Sequence, residues 1–384
     1  MATLIKTTNG FGAATTVESR AVQSLPVVTT SGNGNQMLNN KGYFVAPDDP
    51  FHPRNIAFIE TALSTWTKVE MGSGLEVVYT IENLGNGVVL CGTGWDGTDG
   101  DIYRSTDYGL TWSKIEMGSS LEVVFLIEYI ISGIVLCGTG TGTGDGDIYR
   151  SINYGLTWTK IEMGAGLESI YGIKYLGNGI ILCGAGSGTG EGDIYRSTDY
   201  GLTWSAVEMG AGLEAIRNIK YLGNGVVLCG AGSGTGDGDI YRSTDYGLTW
   251  SKVEMGSGLE RIYGIEYLGT GIVLCGAGSS SGDGDVYRST DYGLTWAKVE
   301  MGAGLDTIYG IESLEKGIVL CSAGDSTGEG DVYRSTDYGL TWVKIEMGAG
   351  LEVIYAIKYL GNGIILCGAG SGTGDGDIYR CILF

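Results

Sequence analysis

From residue 63 onward, apolar and polar positions alternate in short runs separated by turn residues. Within 111–151, Thr111–Glu116 (TWSKIE), Val123–Tyr129 (VVFLIEY), Gly133–Gly138 (GIVLCG) and Asp147–Ser151 (DIYRS) each read with a period of two. That period is the mark of a half-buried β-strand, so each run is expected to be one. No segment carries a convincing 3.6-residue apolar period, and no helix is expected. The second and third runs are joined in four places by Leu-Gly-Asn-Gly, as at Leu176–Gly179. Asn-Gly accepts the positive φ angles of a type I′ turn, which makes this pair a hairpin. The third and fourth runs are joined by glycine-rich loops such as Gly184–Gly192.

The four-run pattern repeats. Trp stands at 66, 112, 158, 204, 250, 296 and 342, and Cys at 91, 137, 183, 229, 275, 321 and 367, with a spacing of 46 throughout. Seven copies fill residues 63–384 without an insertion or a deletion. Four strands per copy, seven times over, predict an all-β fold: a seven-bladed β-propeller of four-stranded blades. The two ends predict how the ring closes. The last DIYR run, Asp377–Arg380, has only Cys381–Phe384 after it, while Thr65–Glu70 precedes the first complete copy. Pairing these two runs completes the seventh blade with an N-terminal strand and removes two exposed sheet edges. The apolar tail Cys381–Phe384 is expected to pack at that seam.

The turn after six of the seven DIYR or DVYR runs has the pattern Ser105-Thr-Asp107-Tyr-Gly109-Leu-Thr-Trp112, which recurs with Asp199, Asp245, Asp291 and Asp337, and with Asn153 in place of Asp; the split last unit has none. It resembles the Asp-box (BNR) repeat of sialidases and related propellers. In that family the box is a folding device, so the resemblance implies a structural role for Asp107, Asn153, Asp199, Asp245, Asp291 and Asp337. The chemistry agrees: a short carboxylate accepts hydrogen bonds from its own turn, Gly permits φ > 0, and Trp buries a large area. Asn can form the same turn.

Composition narrows the function. Asp and Glu number 44 against 23 Lys and Arg, a formal charge of −21, which argues against a nucleic-acid partner. Gly at 70 residues with only 4 Pro excludes collagen and proline-rich disorder. No apolar run is long enough for a membrane helix, and the N-terminus lacks the apolar core of a signal peptide. A single histidine, His52, leaves little room for a His-based metal site or a Ser-His-Asp triad. The seven in-strand cysteines lack Cys-x-x-Cys spacing and read as small buried hydrophobes, consistent with synthesis in a reducing cytosol.

Sialidases use arginines drawn from different blades, a Tyr–Glu pair and a separate acid. Here Arg104, Arg150, Arg196, Arg242, Arg288, Arg334 and Arg380 share one repeat position, and an inter-strand or inter-blade ion pair is expected of them. Only Arg217 and Arg261 break the repeat within the ring. Loops such as Gly140–Asp147 place Asp145 and Asp147 beside flexible glycines. Calcium is the alternative there to a solvated loop; no other cofactor is expected. These loops share a face with the Met-Gly-x-x-Leu-Glu turns, and the Asp boxes share the opposite face with the Asn-Gly turns. On the loop face Trp95 and Asp96 are the aromatic exception, a candidate sugar contact or a filler at the seam.

Residues 1–62 carry no repeat and are rich in Gly, Ser, Thr, Asn and Val. Such a segment buries too little surface to order itself and reads as an extended anchoring arm, with a short strand at Asn55–Ile59. The first functional reading is therefore a non-catalytic propeller of a large assembly: a bacteriophage virion surface, tail or fibre component. It would be oligomeric in context, held through residues 1–62, and would display repeated surfaces to glycans or proteins after cytoplasmic synthesis. The alternatives are a sialidase-like glycoside hydrolase and an intracellular assembly factor. The latter would resemble the Asp-box propeller that helps build photosystem II, whose relatives use a basic patch where this ring is acidic.

Overall fold

The computed structural model describes residues 66–383 apart from short loops, such as 72–76 and 95–99 in the first copy and their counterparts in later copies. In 1–62 it describes the backbone of β1 (Leu4–Lys6), β2 (Thr15–Glu18), β3 (Met37–Leu38) and β4 (Phe44–Val45). β1 pairs with β2 and β3 with β4, both antiparallel. Contacts within the chain separate Met1–Ala62, with Phe384, from Leu63–Leu383. The expected strand at Asn55–Ile59 lies outside the described residues.

Every other described element is a strand, and the described residues contain no helix. After β5 (Trp66–Val69), the first complete unit consists of β6 (Val77–Gly85), β7 (Val88–Gly94), β8 (Ile102–Ser105) and β9 (Ser113–Ile115), hydrogen-bonded in that order. Its register runs Ile81↔Cys91↔Tyr103, with Ile102↔Ile115 at the outer edge. The same four-stranded antiparallel set recurs through the chain. Two successive sets, 261–299 and 307–345, are joined by the single pair Gly278↔Thr307. Innermost strands of successive units lie side by side, and the innermost strand of the last unit, Ile354–Gly361, meets β6 of the first. The ring is closed. The fold is an all-β propeller of four-stranded units.

Closure follows the expected pairing. β5 lies antiparallel to Asp377–Ile382, with Ile378↔Val69, Tyr379↔Lys68, Arg380↔Thr67 and Cys381↔Trp66. Cys381 is buried at this seam, and the amide of Leu383 donates to the carbonyl of Gly363. The outer strands are shorter than the alternation predicts: Ser113–Ile115 rather than Thr111–Glu116. Thr111 is held back by its turn, where its amide donates to Asp107 Oδ1. The hairpin turns are as expected, with Asn178 at φ 51° and Gly179 at φ 79°.

The core lies between units. Leu84, Leu90 and Ile102 of the first unit pack on Val124, Ile127, Val135 and Cys137 of the second, capped by Trp158. The same layer joins last to first through Ile364, Leu366 and Ile378 against Val78, Ile81 and Cys91. All eight cysteines are buried and none is in a disulfide; burial raises the in-strand thiols, as at Cys91 and Cys183, so they serve as small apolar side chains.

Candidate functional site

The six Asp-type turns sit at the rim, one per complete unit. In the first, Ser105 Oγ donates to Asp107 Oδ1 at 2.8 Å and accepts from the amide of Gly109 at 2.9 Å. Asp107 Oδ1 also accepts from the amides of Leu110 and Thr111, and Oδ2 accepts from Thr111 Oγ1 at 2.6 Å. Asp199, Asp245, Asp291 and Asp337 make the same contacts. Asn153 keeps the turn with two changes: its Nδ2 donates to Thr157 Oγ1 at 2.8 Å, and the Leu156 amide donates to the Asn153 backbone carbonyl at 3.4 Å. Each carboxylate is therefore committed to its own turn, and the structure keeps these residues apart, one to a unit.

The turn also docks onto its neighbours. The amide of Tyr108 donates to the carbonyl of Gly87 in the adjacent hairpin turn. Gly155, at φ 78°, lies against Leu90 of the preceding unit, where a Cβ would stand 2.6 Å from Leu90 Cδ1. The repeated arginine completes this joint, with a chemistry different from the one expected. Arg104 Nε donates to the backbone carbonyl of Tyr154 in the next unit at 3.1 Å, and Arg150, Arg196, Arg242 and Arg288 repeat the contact. Arg380 does the same to Tyr108, across the seam. These are inter-unit hydrogen bonds to backbone, not ion pairs, because the αL tyrosine at each turn presents its carbonyl to the preceding unit.

The rim carries a repeated surface. Leu110, Leu156, Leu202, Leu248, Leu294 and Leu340 are each 51–55% exposed. Behind Leu248, Leu294 and Leu340 lie shallow clefts walled by the two outermost strands of the preceding unit and the turn between them: Arg196, Thr203 and Ala206 behind the first, and Arg288, Trp296 and Lys298 behind the last.

Partial burial opposes ionisation of the turn aspartates, but the hydrogen bonds from the Thr, Ser and backbone donors outweigh it. Asp199, Asp245 and Asp291 are held at about 2, and Asp107 and Asp337 are also lowered. A folded-state value below the unfolded one contributes stability above about pH 4 that is lost as pH falls towards 2. The melting temperature should therefore drop through that window. An Asp199→Asn, Asp245→Asn, Asp291→Asn triple variant should show a shallower drop, since Asn153 demonstrates that Asn supports the turn. An unchanged acid limb in the triple variant would contradict this assignment.

Asp147 of the candidate calcium loop is engaged elsewhere. Its Oδ2 lies 2.7 Å from Lys160 Nζ on the neighbouring strand, and Lys114–Asp101, Lys252–Asp239 and Lys298–Asp285 repeat the pair. Asp145, Trp95 and Asp96 lie outside the described residues, as do most of the Gly-Asp loops on that face. Among the described residues no group of three or more His, Cys, Asp or Glu is arranged to hold a metal ion.

The innermost strands line a central channel with a cavity of about 360 Å³, to which all seven units contribute. One level is a ring of Tyr79, Phe125, Tyr171, Arg217, Tyr263, Tyr309 and Tyr355. Neighbouring ring centroids lie 4.7–5.5 Å apart, and the Arg217 guanidinium fills the one non-aromatic place, 4.8 Å from the Tyr171 centroid and 5.5 Å from that of Tyr263. Arg261 donates from Nη1 to Tyr263 Oη at 3.0 Å. Three residues further along each strand is a charged level: Glu82, Glu128, Lys174, Lys220, Glu266, Glu312 and Lys358. Lys174 pairs with Glu128 at 2.8 Å, Lys358 with Glu82 at 3.1 Å, and Lys220 with Glu266. The Glu82 carboxylate keeps the Lys358 ammonium above its ordinary range despite burial. Sequence reading singled out Arg217 but passed over the rest of the channel. The available signal was variation in charge at two positions, three residues apart, of an otherwise uniform repeat.

No protein-family model and no curated protein sequence matches the chain. Solved structures do resemble it. YCF48 bound to a D1 peptide aligns with a TM-score of 0.62 at 14% identity, over 83% of this chain and 96% of that one. Virginiamycin B lyase from Staphylococcus aureus aligns at 0.64 and 14% identity, over 83% and 99%. A GH74 xyloglucanase from Xanthomonas campestris aligns at 0.62 and 16% identity over 80% of this chain, which spans about half (52%) of that enzyme. At these identities the likeness is one of fold. The chain is a β-propeller.

Proposed function

We propose that this chain is a non-catalytic binding propeller of the Asp-box type, carried on a larger particle through residues 1–62. The parent particle is a virion, with the propeller as a surface, tail or fibre component that reaches the outside after cytoplasmic synthesis. The observation that carries the reading is the rim: six near-identical leucines stand exposed on rigid turns. Clefts lie beside at least three of them. Equivalent weak sites held in fixed geometry turn modest single-site affinity into avidity. A propeller engaged with a peptide, as in YCF48 bound to a D1 peptide, supports a protein as partner class beside a surface glycan.

Replacing all six rim leucines by Ser tests it. The side chains are exposed, so the melting temperature should hold, while adsorption to cells and to a glycan panel should fall by at least about tenfold. Replacing only Leu202, Leu248 and Leu294 should give an intermediate loss. Undiminished adsorption by the six-fold variant would remove the rim as the binding surface. Turnover of chromogenic glycosides, abolished by one point substitution, would make the chain a hydrolase instead.

A further inference from the structure

The central channel has a charge pattern that the ring alone does not resolve. Its lining holds Glu82, Glu128, Glu266 and Glu312 against Lys174, Lys220, Lys358 and Arg217. Three ion pairs use all three lysines and three of the glutamates. Seven is odd, so one acid of the charged level is left over. It is Glu312, which accepts from the amide of Tyr359 at 3.0 Å and has no ion pair among the described residues. Burial raises its carboxyl, helped by the neighbouring Glu266 and opposed by Lys358. At the aromatic level Arg217 is the converse case. Its Nε donates to the carbonyl of Gly232 at 3.0 Å, its faces lie on Tyr171 and Tyr263, and no carboxylate among the described residues forms an ion pair with it. A guanidinium fixed in this way presents its terminal nitrogens as a ready fork for a carboxylate.

The two unmatched groups stand at different depths of one cavity. Three residues separate the levels along each strand, and the β-bulge inside that span, between Ile216 and Asn218 and between Ile308 and Gly310, turns both side chains to the channel and keeps the separation below the ~10 Å of a regular strand. The wall between them is Gly172, Gly264, Gly310 and Ala356 in four units and Thr80, Leu126 and Asn218 in the other three, so that most of that stretch carries small side chains. We propose that the channel binds an elongated zwitterion, an ω-amino acid or a short peptide, with its carboxylate on Arg217 and its ammonium on Glu312. The aromatic ring then surrounds the carboxylate end and the apolar body crosses the glycine-lined stretch. A cavity of about 360 Å³ is of the size that holds such small molecules. The site is independent of the rim, and its failure would leave the rim reading intact.

Calorimetric titration of the full chain with ω-amino acids from 4-aminobutanoate to 8-aminooctanoate tests the proposal, with hexanoate and hexylamine as half-ligands. One length of the series should bind at a single site, and either half-ligand at least about tenfold more weakly. Arg217→Tyr restores the aromatic side chain found in most other units, so it should fold; it should lose at least about tenfold in affinity. Glu312→Gln keeps the shape and should lose as much. Melting temperatures of both variants report that the ring is intact. No binding by any member of the series at millimolar concentration would overturn the proposal. So would half-ligands as tight as the zwitterion, or folded variants that bind undiminished.

Discussion

Deleting residues 1–70 should turn a soluble ring into an aggregating one, whereas deleting 1–54 should leave it folded. The difference is β5. Trp66–Val69 is the outer strand of the last unit, and its removal bares the edge of Asp377–Ile382 along four paired positions. It also removes Val69 from the last-to-first core layer and the Lys68–Asp377 ion pair, 2.8 Å long. An uncovered, partly apolar strand edge at a seam is a template for intermolecular pairing. The shorter deletion spares all of these contacts. Size-exclusion profiles and melting curves should show a monodisperse, cooperatively melting protein for the 1–54 deletion and aggregates or a strongly lowered transition for the 1–70 deletion. On the proposed function, the shorter deletion also abolishes incorporation into the parent particle. A 1–54 deletion that unfolds would place the arm in the propeller core and refute its role as an anchor.

The seam shows what could be read from the residues alone. The period-two runs and the 46-residue spacing determine strands, repeat and closure, because each depends on local alternation or on counting. The Asp-type turn was legible too, since its hydrogen bonds close within seven residues from Ser105 to Thr111. What could not be read depends on contacts between units. Arg104 reaches the carbonyl of Tyr154, fifty positions away, and a charge beside a sequence of carboxylates invites an ion-pair reading that only the inter-unit geometry corrects. The channel was hidden for the same reason. Glu82 meets Lys358 only because the ring closes, and Arg217 is an aromatic substitute only once Tyr171 and Tyr263 are seen on either side. The pairing of Asp147 with Lys160 likewise needs the register Ile148↔Ile161 of adjacent strands, which brings the loop carboxylate beside the outer-strand ammonium.

Gly192→Ala should destabilise the ring by about 3 kcal/mol or more, while Gly172→Ala should be nearly silent. Both glycines face a neighbouring unit, so the comparison isolates how closely the backbones approach. A Cβ on Gly192 would stand 1.8 Å from the carbonyl oxygen of Glu214 in the next unit, and Gly100 and Gly330 show the same closeness to Glu122 and Glu352. The obstacle is main chain and cannot rotate away. Relief requires the two units to separate, and the apolar layer between them, including Ile194 and Ile216, would open with them. Closed rings transmit such a displacement, because interiors packed at crystal-like density have little free volume to absorb it. At Gly172 the nearest atoms to a Cβ are 3.4 Å away or more, and the last unit already carries Ala356 at the equivalent position. Chemical denaturation of the two variants measures the contrast. Equal stability would mean that the units slide past one another freely at this point, and the account of the ring as a set of tightly registered inter-unit layers would have to be given up.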